Sequence, residues 1–217
     1  MQQTKVFVVG GECFEGYARP IYNKMLVQHI EEADIVLFPG GADICPETYN
    51  RQNVCSFGSW RRDKMEVQMY DSVRKDQLIM GTCRGAQLLT VMNGGNLVQD
   101  VEGHAGGYMH GVVDNDGKEY EVTSIHHQMC YPFEMPKVNY TILMKSSPAR
   151  SVGHYIGDGI DVDKIECEPE LIVFHNTAEP YGIGIQGHPE MMSMDSPIVK
   201  ELNVLLNKYM KLAKQRV

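Results

Sequence analysis

The chain has 217 residues, of which 43% are hydrophobic and 22% charged, a balance typical of an ordinary globular protein with one domain. Its formal net charge of −8 argues against a nucleic-acid-binding surface, because phosphate recognition needs clustered Lys and Arg. No signal-peptide pattern opens the sequence, and no apolar run approaches the ~20 residues that a membrane span requires. We therefore expect a single cytoplasmic domain over residues 1–217, with neither nucleic acid nor membrane as a partner.

The first half of the chain alternates strand and helix patterns. Short apolar runs that end at glycines are typical of buried parallel strands, and apolar residues at helical spacing separate them. The predicted elements are strands at residues 5–9 and 34–38, a helix carrying Ile21, Met25, Leu26 and Ile30, a helix near residues 60–75, and a strand starting at Leu78. This order predicts a parallel sheet with helices on its faces.

The second half is richer in strands. After a helix that starts near Arg84, glycine-rich loops intervene and strand patterns cover residues 119–123, 140–144, 171–174 and 181–186. Asp195 or Ser196, followed by Pro197, marks the start of a last helix. The whole pattern predicts an α/β fold with a mostly parallel, flavodoxin-like central sheet, helices on both faces and a small β-rich extension.

A cysteine between two glycines follows the third strand directly, in Gly81-Thr82-Cys83-Arg84-Gly85. This pattern is typical of a nucleophile at a strand-to-helix turn. Glycines flank the nucleophile because the sharp turn strains the backbone and leaves no room for neighbouring side chains. The dipole of the following helix would favour a thiolate there. A buried structural cysteine beside a tight turn is the alternative interpretation.

A histidine and a glutamate leave another strand end two residues apart, in Gly187-His188-Pro189-Glu190. A cysteine needs a base, and the base needs an acceptor that orients its far nitrogen. The carboxyl ends of parallel strands meet at one edge of a sheet, so His188 and Glu190 could serve Cys83. Alone, the same tripeptide is more typical of a solvated loop.

An acyl-transfer site also needs donors for an oxyanion. The backbone amide of Arg84 stands at the start of the helix, and glycines in the loop after the second strand would let the amide of Gly41 approach. Gly40 and Gly41 could equally form an ordinary tight turn.

The segment from Gly81 to Leu89, with Gly187-His188-Pro189-Glu190 about a hundred residues later, resembles the class I (triad) glutamine amidotransferase superfamily. Within it, the chain is most similar to the γ-glutamyl-γ-aminobutyrate hydrolase-like branch. Four blocks carry the latter resemblance, at residues 39–49, 62–66, 93–100 and 124–128.

The resemblance implies a class I glutamine amidotransferase-like fold and cysteine-dependent hydrolysis of a γ-glutamyl amide bond through a thioester. Cys83 would be the nucleophile, His188 the base and Glu190 its orienting partner, with Gly41 and Arg84 as oxyanion donors. The residues implied in binding the substrate are Gln87, His126, His127 and Gln128. Since His126 and His127 are adjacent, at most one should face the site.

Two other functions remain open. The chain could be the glutaminase subunit of an amidotransferase that delivers ammonia to a separate synthetase, or a catalytically silent interaction module. No G-x-x-x-x-G-K-[ST] motif is present to bind a nucleotide, and we expect no cofactor.

A few chemistry-bearing residues lie outside this pattern. The six cysteines include no C-x-x-C pair, which disfavours a disulfide framework or a zinc site. His104 and His110 flank a glycine-rich loop, but no carboxylate is spaced to complete a metal site, so we predict none. Asp63 and Glu66 are explained equally well by surface pairing with Arg62 or by a substrate role. Cys45 is interpreted as packing.

Overall fold

The computed structural model describes residues 3–151 and 153–216. Strands and helices alternate through the first half of the chain, and strands dominate the middle. The strands are β1 (Thr4–Val8), β2 (Lys24–Leu26), β3 (Ile35–Phe38), β4 (Leu78–Thr82), β5 (Asn96–Val98), β6 (Asp100–Val101), β7 (Tyr108–Asp114), β8 (Glu119–Ser124), β9 (Met129–Tyr131), β10 (Tyr140–Ser146), β11 (Tyr155–Ile156), β12 (Pro169–Phe174) and β13 (Tyr181–Ile185). The α-helices are α1 (Trp60–Asp71), α2 (Arg84–Met92) and α3 (Pro197–Ala213).

A nine-stranded sheet in the order β2-β1-β3-β4-β13-β12-β10-β7-β8 forms the centre of the fold. The five strands from β2 to β13 are mutually parallel, whereas β12, β10, β7 and β8 pair antiparallel. Two small sheets, β5 with β9 and β6 with β11, make up the β-rich extension. The loops that follow β1, β3, β4 and β13 all leave from the carboxyl edge of the parallel half.

Helices cover both faces of the sheet. On one face, Leu202 and Leu206 of α3 pack in a core cluster with Leu37 of β3. On the other face, Leu89 of α2 packs with Phe38 of β3. Strands enclosed in this way have no solvent-facing side, which explains why β3 and β4 are buried at every residue. The predicted α/β class is confirmed.

The helix predicted around Ile21 and Ile30 is wrong. The chain turns at Asn23, which has a φ of 47°, and then forms the short edge strand β2, which pairs with β1. Ile21 is buried whereas Met25 is 40% exposed, so the helical spacing did not mark one buried face. The backbone partners that β1 supplies, rather than a helical apolar face, stabilise this segment.

The other predicted elements agree closely with the structure, except that α1 ends at Asp71 rather than near residue 75. The strands β5, β6, β7, β9 and β11 had no predicted counterpart. The last helix begins after Ser196 with Pro197 in its first turn, and α1 begins at Trp60 as predicted. Among the residues that the structure describes, no helix is both long enough and apolar enough to cross a membrane.

Candidate active site

Cys83 stands at the turn between β4 and α2 with strained backbone angles, φ 50° and ψ −106°. The other described non-glycine residues with positive φ are asparagines, which tolerate that region better than other residues do. A backbone hydrogen bond of 2.7 Å from the amide of Cys83 to the carbonyl of Ile185 holds the turn against β13. Strain of this kind costs about 1–3 kcal/mol and is maintained by the surrounding packing.

The two glycines beside this turn allow contacts that no side chain would permit. A Cβ at Gly81 would lie 2.5 Å from the carbonyl carbon of Gly85, and a Cβ at Gly85 would lie 2.1 Å from the carbonyl oxygen of Phe38. The start of α2 therefore sits directly on β3 and β4. The expectation that side chains are excluded here is confirmed.

His188 and Glu190 follow β13 at the same sheet edge. The Nδ1 of His188 lies 2.6 Å from Oε1 of Glu190, and Cys83 is near enough to the ring to influence its pKa. Pro189 begins a short 3₁₀ turn that folds Glu190 back toward the imidazole. The amide of His188 donates to Oγ1 of Thr123 at 2.7 Å, which fixes this loop to β8.

The environment of His188 favours its protonated form. Burial lowers the pKa of the ring, but its interactions with Cys83 and Glu190 raise it to about 10. An imidazolium at neutral pH is the natural counter-ion for a cysteine thiolate. The arrangement can therefore hold a charged thiolate–imidazolium pair.

The two predicted oxyanion donors lie next to this pair, one at the start of a helix and one in a loop. Arg84 is the first residue of α2, and Gly41 follows β3 in a loop that reaches His188. A Cβ at Gly40 would lie 2.9 Å from Cε1 of His188, and a Cβ at Gly41 would lie 2.1 Å from Nη1 of Arg62. Arg62 also donates to the carbonyl of Gly40 at 2.9 Å, which fixes the loop.

The side chain of Arg84 is buried in a charge network with α1. Its guanidinium pairs with both Asp63 and Glu66, and Glu66 also accepts from Nε of Arg62 at 2.7 Å. Asp63 accepts from the amide of Cys45 at 2.9 Å. Surface pairing is therefore the wrong explanation for Asp63 and Glu66, which are 0% and 1% exposed. The network ties the start of α2 to the loop that carries Gly41.

Three of the four predicted substrate-binding residues meet at one carbonyl group. Nε2 of Gln87 donates to the backbone oxygen of Gln128 at 3.0 Å, and Nδ1 of His126 donates to the same oxygen at 2.9 Å. The side chain of Gln128 is directed elsewhere, since its amide bonds to both backbone groups of Ile44 and to Ser56. Gln128 thus joins the helix α2 to the loop that follows Gly41.

The two adjacent histidines face different surroundings, as expected for neighbours on an extended segment. His126 is buried, and burial together with the neighbouring histidines holds its pKa well below the usual range. His127 is half-buried and reaches Asp43 at 2.9 Å, a hydrogen bond that raises its pKa. Their role toward a substrate stays a prediction.

Tyr17 is a site neighbour that the sequence patterns did not indicate. It lies in the 3₁₀ helix Glu12–Ala18 after β1, and its ring centroid is 6.1 Å from that of His188. A Cβ at Gly40 would be 2.9 Å from its hydroxyl oxygen. Burial and the charges of Glu190 and Cys83 raise the pKa of Tyr17. The available signal was its place after Gly10 and Gly11, at the same carboxyl edge.

The remaining cysteines lack the environment of Cys83. Burial and the neighbouring Asp63 raise the pKa of Cys45 to about 12, and burial raises that of Cys130 to about 12. All six cysteines are free thiols. Cys45 packs in the interior, in agreement with its interpretation from the sequence.

Comparison with known proteins identifies relatives for parts of the chain and for the whole fold. YvdE of Lactococcus lactis, a glutamine amidotransferase-like protein, is 35% identical over 71 residues, which are 31% of this chain and 30% of YvdE. Protein NtpR of Enterococcus hirae is 32% identical over 76 residues, which are 34% of this chain and 32% of NtpR. The matched stretches span about a third of the length of either relative.

Several solved structures share the complete fold at low sequence identity. A protein of Thermoplasma acidophilum, assigned as a GMP synthase subunit, superposes with a TM-score of 0.61 at 15% identity. The superposition covers 99% of this chain and 98% of the Thermoplasma chain. A glutamine amidotransferase of Thermotoga maritima gives a TM-score of 0.56 at 14% identity. The superposition covers 100% of this chain and 95% of the amidotransferase. PurLQS of the same organism gives a TM-score of 0.55 at 15% identity. The superposition covers 99% of this chain and 98% of the matched PurLQS chain.

The Peptidase C26 family matches residues 19–129, more than half of the chain. The matched segment contains Cys83 and Gln87 and ends before His188. This protein therefore belongs to the Peptidase C26 family, within the class I glutamine amidotransferase superfamily.

Proposed function

We propose that this protein hydrolyses the γ-glutamyl amide bond of glutamine or of a γ-glutamyl-amine, with Cys83 as nucleophile. One observation carries the proposal: Cys83 occupies a strained strand-to-helix turn beside His188, whose pKa it helps to raise and whose Nδ1 is 2.6 Å from Glu190. Membership in Peptidase C26 supports the hydrolase class.

In the first half-reaction, the thiolate of Cys83 attacks the γ-carbonyl carbon and forms a carbon–sulfur bond. The amides of Arg84 and Gly41 stabilise the resulting oxyanion. The protonated ring of His188 donates its Nε2 proton to the leaving amine as the carbon–nitrogen bond breaks. The products are a free amine, or ammonia, and a γ-glutamyl thioester on Cys83.

In the second half-reaction, neutral His188 removes a proton from a water molecule that attacks the thioester carbonyl. The same two amides stabilise the second oxyanion, and the carbon–sulfur bond then breaks. This releases the γ-carboxylate product and regenerates the thiolate beside protonated His188. Glu190 keeps Nδ1 of His188 engaged throughout, so that Nε2 faces the reacting atoms.

Gln87, His126, His127 and Gln128 form the proposed binding region for the substrate's γ-glutamyl part. Its α-amino and α-carboxylate groups need polar partners when they leave water, and this segment offers side chains and backbone groups beside α2. The γ-glutamyl-γ-aminobutyrate hydrolase-like branch is the proposed specificity class. A screen of glutamine, γ-glutamyl-amines and γ-glutamyl peptides would identify the leaving amine.

The experiment that tests the reaction measures ammonia released from glutamine and amine released from γ-glutamyl compounds. We expect activity in the wild type and its loss in Cys83→Ala, whereas Cys13→Ala, which changes an exposed free cysteine, keeps it. A wild-type protein that releases neither product would contradict the proposal.

A second candidate function is the glutaminase subunit of an amidotransferase. The structural neighbour from Thermoplasma acidophilum is assigned as part of a GMP synthase, and here Phe57 and Trp60 are exposed next to the loop of Asp43. Such aromatic side chains are typical of partner surfaces. Copurification of a synthetase, with glutaminase activity that rises when it binds, would favour this function over a free-standing hydrolase.

A further inference from the structure

A second cluster of titratable side chains lies at the same sheet edge, separate from Cys83. It consists of five buried residues, His104, His110, His126, Glu168 and Glu170. They come from the loop before β7, from β7, from the segment after β8, and from the start of β12 together with the residue before it. The carbonyl of Glu170 accepts from the amide of Gln186 at 2.8 Å, so the cluster adjoins the end of β13, two residues before His188.

Three members of the cluster converge on one point. One ring nitrogen each of His104 and His126 and one carboxylate oxygen of Glu170 all lie within 4.8 Å of one another. The two imidazole rings have centroids 4.7 Å apart, and Nδ1 of His104 is 3.7 Å from Oε1 of Glu170. We propose that His104, His126 and Glu170 bind a divalent metal ion of the zinc class.

The hydrogen bond of His126 selects the nitrogen that would bind the metal. A carbonyl oxygen only accepts, so Nδ1 of His126 carries the proton that it shares with the backbone of Gln128. Nε2 is then left with a lone pair, and it has no hydrogen-bond partner among the described residues. A buried lone pair without a partner is unfavourable, and coordination of a cation would satisfy it.

His104 is held in the orientation that histidine ligands adopt. Its Nε2 lies 3.1 Å from a carboxylate oxygen of Glu168, which leaves Nδ1 on the side of Glu170, where it also lies 3.2 Å from Oγ of Ser124, a contact that a bound metal would replace. Glu168 in turn accepts 2.7 Å hydrogen bonds from the amides of Arg150 and Ser151. A carboxylate that fixes the far nitrogen of a histidine ligand is a common supporting interaction at metal sites.

Glu170 supplies a negatively charged ligand with one free oxygen. Its Oε1 accepts from Nε2 of His110 at 2.7 Å, whereas Oε2 is buried and has no partner in the part of the chain described. A protonated His110 could balance the charge of Glu170 without a metal. It would, however, leave Nε2 of His126 unsatisfied, whereas a dication satisfies both atoms.

The dimensions fit zinc after small side-chain movements. Zinc binds nitrogen and oxygen at about 2.0–2.2 Å, which places tetrahedral ligand atoms roughly 3.4 Å apart. The three candidate ligand atoms are up to 4.8 Å apart, so their side chains would each have to move by about 1 Å to reach this spacing. Sequence spacing did not indicate Glu170 as a partner of His104, because the two residues are 66 positions apart in the chain.

The metal would fix the segment from Ser124 to Gln128. The carbonyl of Gln128 accepts from both His126 and Gln87, so a metal on His126 would stabilise the segment beside α2. Metal binding at this cluster does not require amide hydrolysis at Cys83.

Cobalt titration of the full chain tests the site directly. The Cys83→Ala background removes the thiol that could bind a metal together with His188. We expect one equivalent of Co²⁺ with visible bands of a nitrogen–oxygen ligand set and no thiolate charge-transfer band, and Zn²⁺ should displace it. Glu170→Gln and His126→Asn should weaken binding on the order of 100-fold or more, while the exposed-histidine control His29→Asn should not.

Three results would overturn the site: no stoichiometric uptake, a thiolate band, or unchanged affinity in Glu170→Gln. If circular dichroism shows that the variants do not fold, zinc X-ray absorption spectroscopy on the Cys83→Ala protein identifies the ligands of the bound zinc instead. Two imidazoles with oxygen ligands would support the site, and a sulfur ligand or a single imidazole would refute it. Metal uptake by a wild-type protein without amidase activity would contradict the proposed reaction and support the metal site.

Discussion

The carboxylate of Glu190 lies 2.6 Å from Nδ1 of His188, and this contact helps to raise the pKa of the ring to about 10. In the proposed acylation step, protonated His188 is the donor to the leaving amine. Since the pKa is raised from 6.5, the protonated ring is present at neutral pH and is lost as the pH rises through about 10.

We therefore predict that kcat/KM of the wild type falls on the alkaline side near pH 10. Glu190→Gln removes one hydrogen bond and one charge that raise the pKa of His188, so the alkaline fall should move to lower pH. The maximal kcat/KM should decrease on the order of 100-fold. A pH profile of amide hydrolysis measures both effects, with the exposed Glu31→Gln as control. If the alkaline fall of kcat/KM occurs at the same pH in Glu190→Gln as in the wild type, the Glu190 contact does not raise the pKa of His188.

Cys83 should be the cysteine that alkylates fastest near neutral pH. Its partner His188 supplies a positive charge, whereas burial raises the pKa of Cys130 to about 12 and that of Cys167 to about 11. Peptide mass spectrometry after brief iodoacetamide treatment gives the order of labelling. In His188→Asn, Cys83 should react no faster than the exposed Cys13. Equal rates for Cys83 and Cys13 in the wild type would instead favour a catalytically silent module.

Replacing Arg84 with methionine should strongly destabilise the fold. The substitution leaves Asp63 buried without a cation and leaves Glu66 with Arg62 alone, and breaking a buried pair in this way costs about 3–5 kcal/mol of unfolding free energy. Urea denaturation measures the loss. The matched control is Arg74→Met, which breaks the exposed pair with Asp76 and should cost about 0–1 kcal/mol. Similar losses in the two variants would show that the buried network contributes little.

Gly85→Ala should also lower the unfolding free energy, by about 1–3 kcal/mol. The new Cβ would lie 2.1 Å from the carbonyl oxygen of Phe38, and neither β3 nor α2 can move without disturbing the core. In Gly16→Ala the added Cβ meets nothing within 4 Å, so this variant serves as the control in the same denaturation experiment. A Gly85→Ala protein as stable as the control would mean that α2 shifts freely.

The sequence predicted the turn around Cys83 correctly because its geometry is local. An apolar strand, a glycine on either side of the cysteine and a helix pattern specify the backbone over ten residues, and the structure shows that conformation. The same local reasoning failed around Met25, where pairing with β1 outweighed an apparent helical spacing. Edge strands depend on their partner, which a single segment does not reveal.

By itself, the sequence determined the α/β class and the turn that carries Cys83, and it indicated His188 and Glu190 as the candidate partners of that cysteine. Only the tertiary structure decided that Asp63 and Glu66 are buried against Arg84, that Tyr17 adjoins His188, and that Glu170 joins His104 and His126. The physical reason is the range of the interactions involved. Backbone strain and strand termination act between neighbours in the chain, whereas buried charges find their partners across elements that the sheet brings together.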